Sequence, residues 1–229
     1  MRYRPSRRQV DSHKHERAAS RFLNFLLYAE SIPHVLVVGY SSSEQTVPED
    51  YAIRVCNLFA QLGAKGTTVV VSFGDSGVGG EDSGVGGENT CVANDGSGKP
   101  RFLPSFPANN VFRSFNTPGR ANPDVAAQSE NLQVVVAGRT VNLGGTGLSA
   151  SIFGATVSLL NDDRLSQGRP TLEFTHVNSL IYSTAATGFN DVTSGSNPGC
   201  GTGSFPAGEG WDPVTGLGTP DFSKLRALL

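Results

Sequence analysis

The stretch from residue 34 to residue 72 constrains this chain more than any other. His34 to Tyr40 (HVLVVGY) is a short β-branched run, apolar on both sides, as strands buried within a parallel sheet are. Glu49 to Gly63 (EDYAIRVCNLFAQLG) repeats apolar residues at helical spacing and closes on Gly63, a C-terminal stop signal. Thr67 to Ser72 (TTVVVS) is a second buried run. Strand, helix and strand in that order make a βαβ unit with a right-handed crossover, and an α/β fold follows. The carboxyl end of the second strand runs straight into Phe73-Gly74-Asp75-Ser76-Gly77, the place where open α/β sheets carry their functional loops.

The remaining periodicities extend the same pattern. Arg17 to Glu30 sets Phe22, Phe25, Leu26 and Ala29 at helical spacing, with Pro33 as the stop. A third strand is expected at Leu132 to Ala137, a helix from Ser149 to Asn161 and a shorter helix around Val177 to Ser183. A long tail of Gly, Pro, Asn and Asp follows. The heptapeptide DSGVGGE occurs twice in succession, at Asp75 to Glu81 and at Asp82 to Glu88. A single short duplication cannot build a solenoid, so it reads as a loop insertion, which costs little entropy at a surface.

A chain of 229 residues can bury one good core and needs no second domain. Residues 21–229 are therefore expected to form one unit, behind a basic, disordered tail at 1–20. Arg2, Arg4, Arg7, Arg8, Lys14 and Arg17 stand in this tail, with Arg21 just beyond it, against only Asp11 and Glu16. No apolar run follows, so it does not read as a secretory signal; a solvated tail is the reading, with a transit peptide as the alternative. Net charge −2 and pI near 6.1 offer no overall basic footprint for nucleic acid. No apolar stretch is long enough to span a membrane.

Among the cysteines, Cys56 sits on an apolar helical face as a core thiol, which leaves Cys91 and Cys200, both in Gly-rich loops, as a candidate pair. Such a pair would imply an oxidising compartment. His13, His15, His34 and His176 show no zinc spacing.

Three motifs in order carry a family resemblance: Gly74-Asp75-Ser76-Gly77 after a buried strand, Gly145-Thr146-Gly147-Leu148-Ser149-Ala150-Ser151 opening a helix that ends in Leu159-Leu160-Asn161-Asp162, and Asp191-Val192 followed by Gly208-Glu209-Gly210-Trp211-Asp212. With SEQTVPEDYA and NPDVAAQ beside them, the chain resembles the sedolisins, serine-carboxyl peptidases that include the tripeptidyl-peptidases. The resemblance implies a subtilisin-like parallel sheet flanked by helices, here expected to be incomplete at the N-terminus and after about residue 108. It also implies a serine nucleophile, a glutamate base held by an aspartate, and a second aspartate at the oxyanion.

Carried over residue by residue, the nucleophile falls on Gly147, which has no side chain to attack a carbonyl. Ser149 is the substitute to weigh, but two residues along a helix is a rotation of about 200°, and its expected role is structural helix capping. Asp11 and Glu16 have neither the order nor the context of the glutamate–aspartate pair, which is expected to be absent. Asp75 matches the oxyanion aspartate, acting as a protonated donor; the alternative is an Asp satisfying turn amides. A calcium loop at about 189–222 would take Asp191 and Asp212 through their carboxylates, and Val192, Gly208 and Gly210 through main-chain oxygens. The alternative there is an Asp-capped turn without metal.

The function expected from these residues is a sedolisin-type serine peptidase domain that binds calcium and has little or no activity. The alternatives are a non-catalytic peptide- or protein-binding module and an unstable gene fragment. Expected partners are a peptide or protein in any surviving cleft, with no nucleic acid and no membrane, on a monomer. The family is typically secreted or lysosomal; the sequence itself assigns no compartment.

Overall fold

The computed structural model describes residues 19–80, 91–93, 95–99, 103–108, 122–172, 174–201 and 203–229. The basic segment with Asp11 and Glu16, the second DSGVGGE copy and most of the stretch after residue 108 lie outside the described residues. In chain order the elements are α1 (19–28), β1 (Val35–Val38), β2 (Ser42–Ser43), α2 (Glu49–Ala64), β3 (Thr68–Val71), β4 (Ser105–Phe106), β5 (Leu132–Val136) and β6 (Arg139–Leu143). They continue with α3 (Thr146–Ser166), α4 (Phe174–Ile181), β7 (Phe189–Asn190), β8 (Thr219–Pro220) and α5 (Phe222–Leu228).

The βαβ unit forms as the sequence predicts. β1 and β3 pair in parallel, with Val35 opposite Thr68 and Val38 opposite Val71. Because strand side chains alternate, each face of this pair meets a different helical layer. Leu36 packs on a cluster built from Leu23 and Leu26 of α1, Tyr51, Val55, Leu58 and Leu62 of α2, and Phe106. Val35 and Val70 pack on the other cluster, made by Phe153, Val157 and Leu160 of α3, Val177 and Ile181 of α4, and Leu225 of α5. The residues of α3 that are buried, Ala150, Phe153, Gly154, Val157, Leu160 and Asn161, recur at helical spacing. Gly154 is what allows this helix to lie close on the sheet, since a Cβ there would stand 2.4 Å from Val37 Cγ2.

The boundaries differ from expectation in ways that packing explains. Gly63 does not end α2; it is buried in the last turn, and the helix runs on to Ala64. The left-handed residue that reverses the chain is Gly66, at φ 91°. The expected third strand forms, but as an antiparallel hairpin with β6 rather than beside β1 and β3. Its turn is Ala137-Gly138, with φ of 50° and 76°, the two positive values that a tight hairpin turn requires. α5 was hidden in the Gly- and Pro-rich tail, although Asp221 is an N-cap whose Oδ1 accepts the Lys224 amide at 3.1 Å.

Cys91 and Cys200 are joined in a disulfide with Cα atoms 5.0 Å apart, across 109 residues of sequence. Cys56 is free and half-buried on α2.

Candidate functional site

The site begins where β3 ends. The chain passes through Ser72 to Gly74 and delivers Asp75 to the first turn of α3. There the Thr146 amide donates to Asp75 Oδ1 at 2.6 Å. The Thr146 hydroxyl lies 2.9 Å from the same oxygen and 3.0 Å from the Gly74 carbonyl. The residue before α3 is Gly145, whose own side chain can offer no cap. Asp75 therefore does from another element what an N-cap residue does locally, and its negative charge suits the positive end of the helix. Both contacts use the carboxyl as an acceptor.

Gly147 is the second residue of α3, directly after the threonine that Asp75 holds. It lies against the end of β1: a Cβ at Gly147 would stand 2.8 Å from the Gly39 carbonyl oxygen. Backbone meets backbone here, leaving no room for a side chain without a shift.

Ser149 is not a helix cap, because α3 starts three residues before it. Its hydroxyl donates to the Ala127 carbonyl at 2.9 Å, with the Gln128 carbonyl at 3.3 Å. The hydroxyl thus ties the helix to the segment leading into β5, and its proton rests on a peptide oxygen rather than on a base.

Asp191 and Asp212 are brought together around one turn. Asp191 Oδ2 accepts the Gly210 amide at 2.8 Å, and Asp212 Oδ2 accepts the Gly208 amide at 3.1 Å. Asp212 Oδ1 takes the amides of Val214 at 2.8 Å and Thr215 at 2.7 Å. Asp212 is only 5% exposed. Burial alone would raise its pKa, but the amides of Thr215, Gly208 and Val214 and the Thr215 hydroxyl together hold it below the ordinary aspartate value.

The donors available to a cation at this turn are carboxylates and main-chain carbonyls, all hard oxygens of the kind calcium takes. A Cβ at Gly208 or Gly210 would meet no heavy atom within 4 Å, so the turn is open on that side. Asp191, Val192, Gly208, Gly210 and Asp212 stand at this turn, where both carboxylates accept backbone amides. No group of three or more His, Cys, Asp or Glu side chains gathers for a metal among the described residues.

Asp75 borders a cleft of about 420 Å³, which Pro213 and Val214, next along the chain from Asp212, also reach. Asp75, Thr146 and Glu130 line one side, and Asn197, Pro213 and Val214 bring the 191–216 loop to the other. Sequence reasoning missed Thr146, although it stands beside Gly147, and Glu130, which becomes a neighbour only when β5 and β6 fold back to α3. Trp211 anchors the arrangement through its indole N–H, which donates to the Pro123 carbonyl at 2.9 Å. No helix of the described residues is long and apolar enough to cross a membrane.

No family model matches the chain. Among characterised proteins it is similar to tripeptidyl-peptidase sed4 of Aspergillus fumigatus, 36% identical over 271 residues, which cover 86% of this chain and 44% of that protein. It is also similar to a probable tripeptidyl-peptidase SED4 of Trichophyton verrucosum, 33% identical over 263 residues covering 86% and 42%. The chain thus spans less than half the length of these relatives. Among solved structures, Pseudomonas sedolisin, a serine-carboxyl proteinase in complex with pseudo-iodotyrostatin, matches with a TM-score of 0.65 at 22% identity, over 93% of this chain and 68% of that one. That likeness is one of fold, a mixed α/β architecture.

Proposed function

We propose, for a chain that belongs to the sedolisin and tripeptidyl-peptidase family, that it is a calcium-binding peptidase-type domain that holds peptide without hydrolysing it. The observation that carries this reading is Gly147. Acyl transfer by this family's chemistry needs an oxygen nucleophile at the start of α3, with a base to take its proton. Glycine supplies neither oxygen nor proton; the adjacent Thr146 hydroxyl is held by Asp75 and the Gly74 carbonyl, and Ser149, the next hydroxyl along the helix, is committed to the Ala127 carbonyl.

What the remaining residues can do is bind. The cleft beside Asp75 is large enough to seat one or two side chains of an extended peptide, and its carboxylates, Asp75 and Glu130, favour a cationic one. Bound calcium would neutralise Asp191 and Asp212 and stiffen the loop that forms one wall of this cleft.

Two measurements test the reading. Peptide substrates incubated with the purified chain from acid to neutral pH should show no turnover, and Gly147→Ser should not create any. That substitution should instead lower stability by about 1–3 kcal/mol, because the new side chain overpacks against the Gly39 carbonyl. Hydrolysis by the native chain that disappears in Ser149→Ala would refute the proposal.

Calcium should raise the thermal midpoint, with a stabilisation of about 2.7 kcal/mol once its concentration is about a hundredfold above the dissociation constant. Magnesium should do much less, because it dehydrates reluctantly and demands a tighter octahedron. The shift should vanish in Asp191→Asn, and a calcium shift that persists undiminished there would remove Asp191 from the ligand set.

A further inference from the structure

β6 is an open sheet edge that leads into the cleft. It pairs with β5 alone, and among the described residues nothing hydrogen-bonds along its other side. The two-residue turn makes Val136 and Arg139 the closing hydrogen-bonded pair, so the N–H and C=O groups of Thr140 and Asn142 alternate outward. One face of the hairpin sets Leu132, Val134 and Val136 opposite Leu143, Val141 and Arg139, and none of these belongs to either core cluster. Val136 and Leu143 are 50% and 41% exposed. At its cleft end the strand passes into Gly144, which lines the cleft beside Glu130; a Cβ at Gly144 would stand 3.4 Å from Glu130 Oε1. At its far end stands Arg139, exposed and without an ion pair among the described residues. β5 is the poorer edge, because Asn131, at φ 55°, breaks it just before the cleft.

We propose, resting on the reading above that this cleft holds peptide, that the bound peptide leaves the cleft as a third strand antiparallel to β6, and that the sequence recognised is basic at the cleft and acidic five residues later. Charge complementarity selects this occupant. β6 runs toward the cleft, so an antiparallel peptide runs away from it. Its residue opposite Gly144 meets the Glu130 carboxylate, and its residue opposite Arg139, about 17 Å further on, meets the guanidinium. Between them, the period of two sets the residues opposite Leu143 and Val141 on the apolar face and those opposite Asn142 and Thr140 on the polar one. Lys-Val-Thr-Val-Thr-Glu satisfies every position. Main-chain bonds to the edge supply affinity, while the alternation and the two charges fix the register. A second copy of the hairpin does not fit this pattern: with its Arg139 at the cleft, its Val141 falls opposite Asn142, on the polar face.

The test is binding of fluorescent Lys-Val-Thr-Val-Thr-Glu, blocked at both ends, to the full chain in calcium, together with hydrogen exchange at the Thr140 and Asn142 amides. Saturating peptide should slow exchange at both amides. The reversed peptide Glu-Val-Thr-Val-Thr-Lys should bind about tenfold more weakly, since each end then meets a like charge. Arg139→Glu should weaken the first peptide by about fivefold and favour Lys-Val-Thr-Val-Thr-Lys instead, at an unchanged thermal midpoint because the side chain is exposed. Peptide bound equally by native chain and Arg139→Glu, with both amides exchanging as in the free chain, would overturn the pairing with β6 and leave the peptide-holding reading standing. Retention of no peptide at all would overturn both. A chain that is dimeric in solution and protects these amides without peptide would give the edge to a second copy, and the proposal would fail.

Discussion

Cys200→Ser is expected to destabilise the protein by about 4–5 kcal/mol, since the bridge to Cys91 closes a loop of about a hundred residues in the unfolded chain. Cys200 is the better partner to replace, because Cys91 is 1% exposed and a serine there would add the cost of a buried hydroxyl. The effect should also be felt in the cleft. The bridge fastens the segment after the Asp75 loop to the 191–216 loop, next to where the Val78 amide donates to the Asn197 carbonyl at 3.3 Å. Gly77 sits so close to that loop that a Cβ would come within 2.2 Å of the Pro198 carbonyl oxygen. With the bond gone, Asn197 and Gly77 are free to separate, and the cleft they line should lose peptide affinity together with stability. Urea denaturation of Cys200→Ser and of the native chain under reductant would measure this. Equal midpoints for oxidised and reduced native protein would sink the prediction.

The parts of the fold that sequence reveals are those where local pattern and burial agree. β1 and β3 are covered on both faces by helices, so they read as unbroken apolar runs, and α2 shows its buried stripe at helical spacing. Misreadings arise where a residue serves a distant neighbour. Gly63 resembles a stop, yet it is buried among the turns of α2 and the helix continues. β6 is exposed throughout, so no burial pattern announces it, and its turn is Ala-Gly rather than a more recognisable Asn-Gly.

The same division runs through the site. Asp75 and Gly147 stand out in the sequence because their motifs are contiguous. What Asp75 does, holding an amide 71 residues away, and what Ser149 does, binding a carbonyl 22 residues back, are tertiary facts with no local signature. The close contact of Gly147 with Gly39 is another: the sequence shows a missing side chain, and only the fold shows that its place is filled by backbone.

Asp212 is where the loop's stability and its charge are most tightly joined. Asp212→Ala removes the acceptor of three backbone amides in a site only 5% exposed. With those donors unpaired, a loss of about 3 kcal/mol or more is expected. Asp212→Asn keeps the shape and removes the charge; it also replaces one accepting oxygen with an NH2 donor, a loss that does not vary with pH, so the pH dependence of the difference reports the charge. Burial works against the ionised carboxylate, and the Thr215, Gly208 and Val214 amides more than offset it, so the folded pKa lies below the unfolded one. A depressed folded pKa means that the contribution is complete above the unfolded value of about 3.9 and is lost as pH falls through the folded value. Asp221 is shifted in the same direction, chiefly by the Lys224 amide, so the native profile alone would mix the two. The difference in unfolding free energy between native protein and Asp212→Asn isolates Asp212. That difference should be constant near neutral pH and shrink steadily below about pH 4. If it stays constant down to the acid limit of folding, the loop's amides do not hold Asp212 ionised.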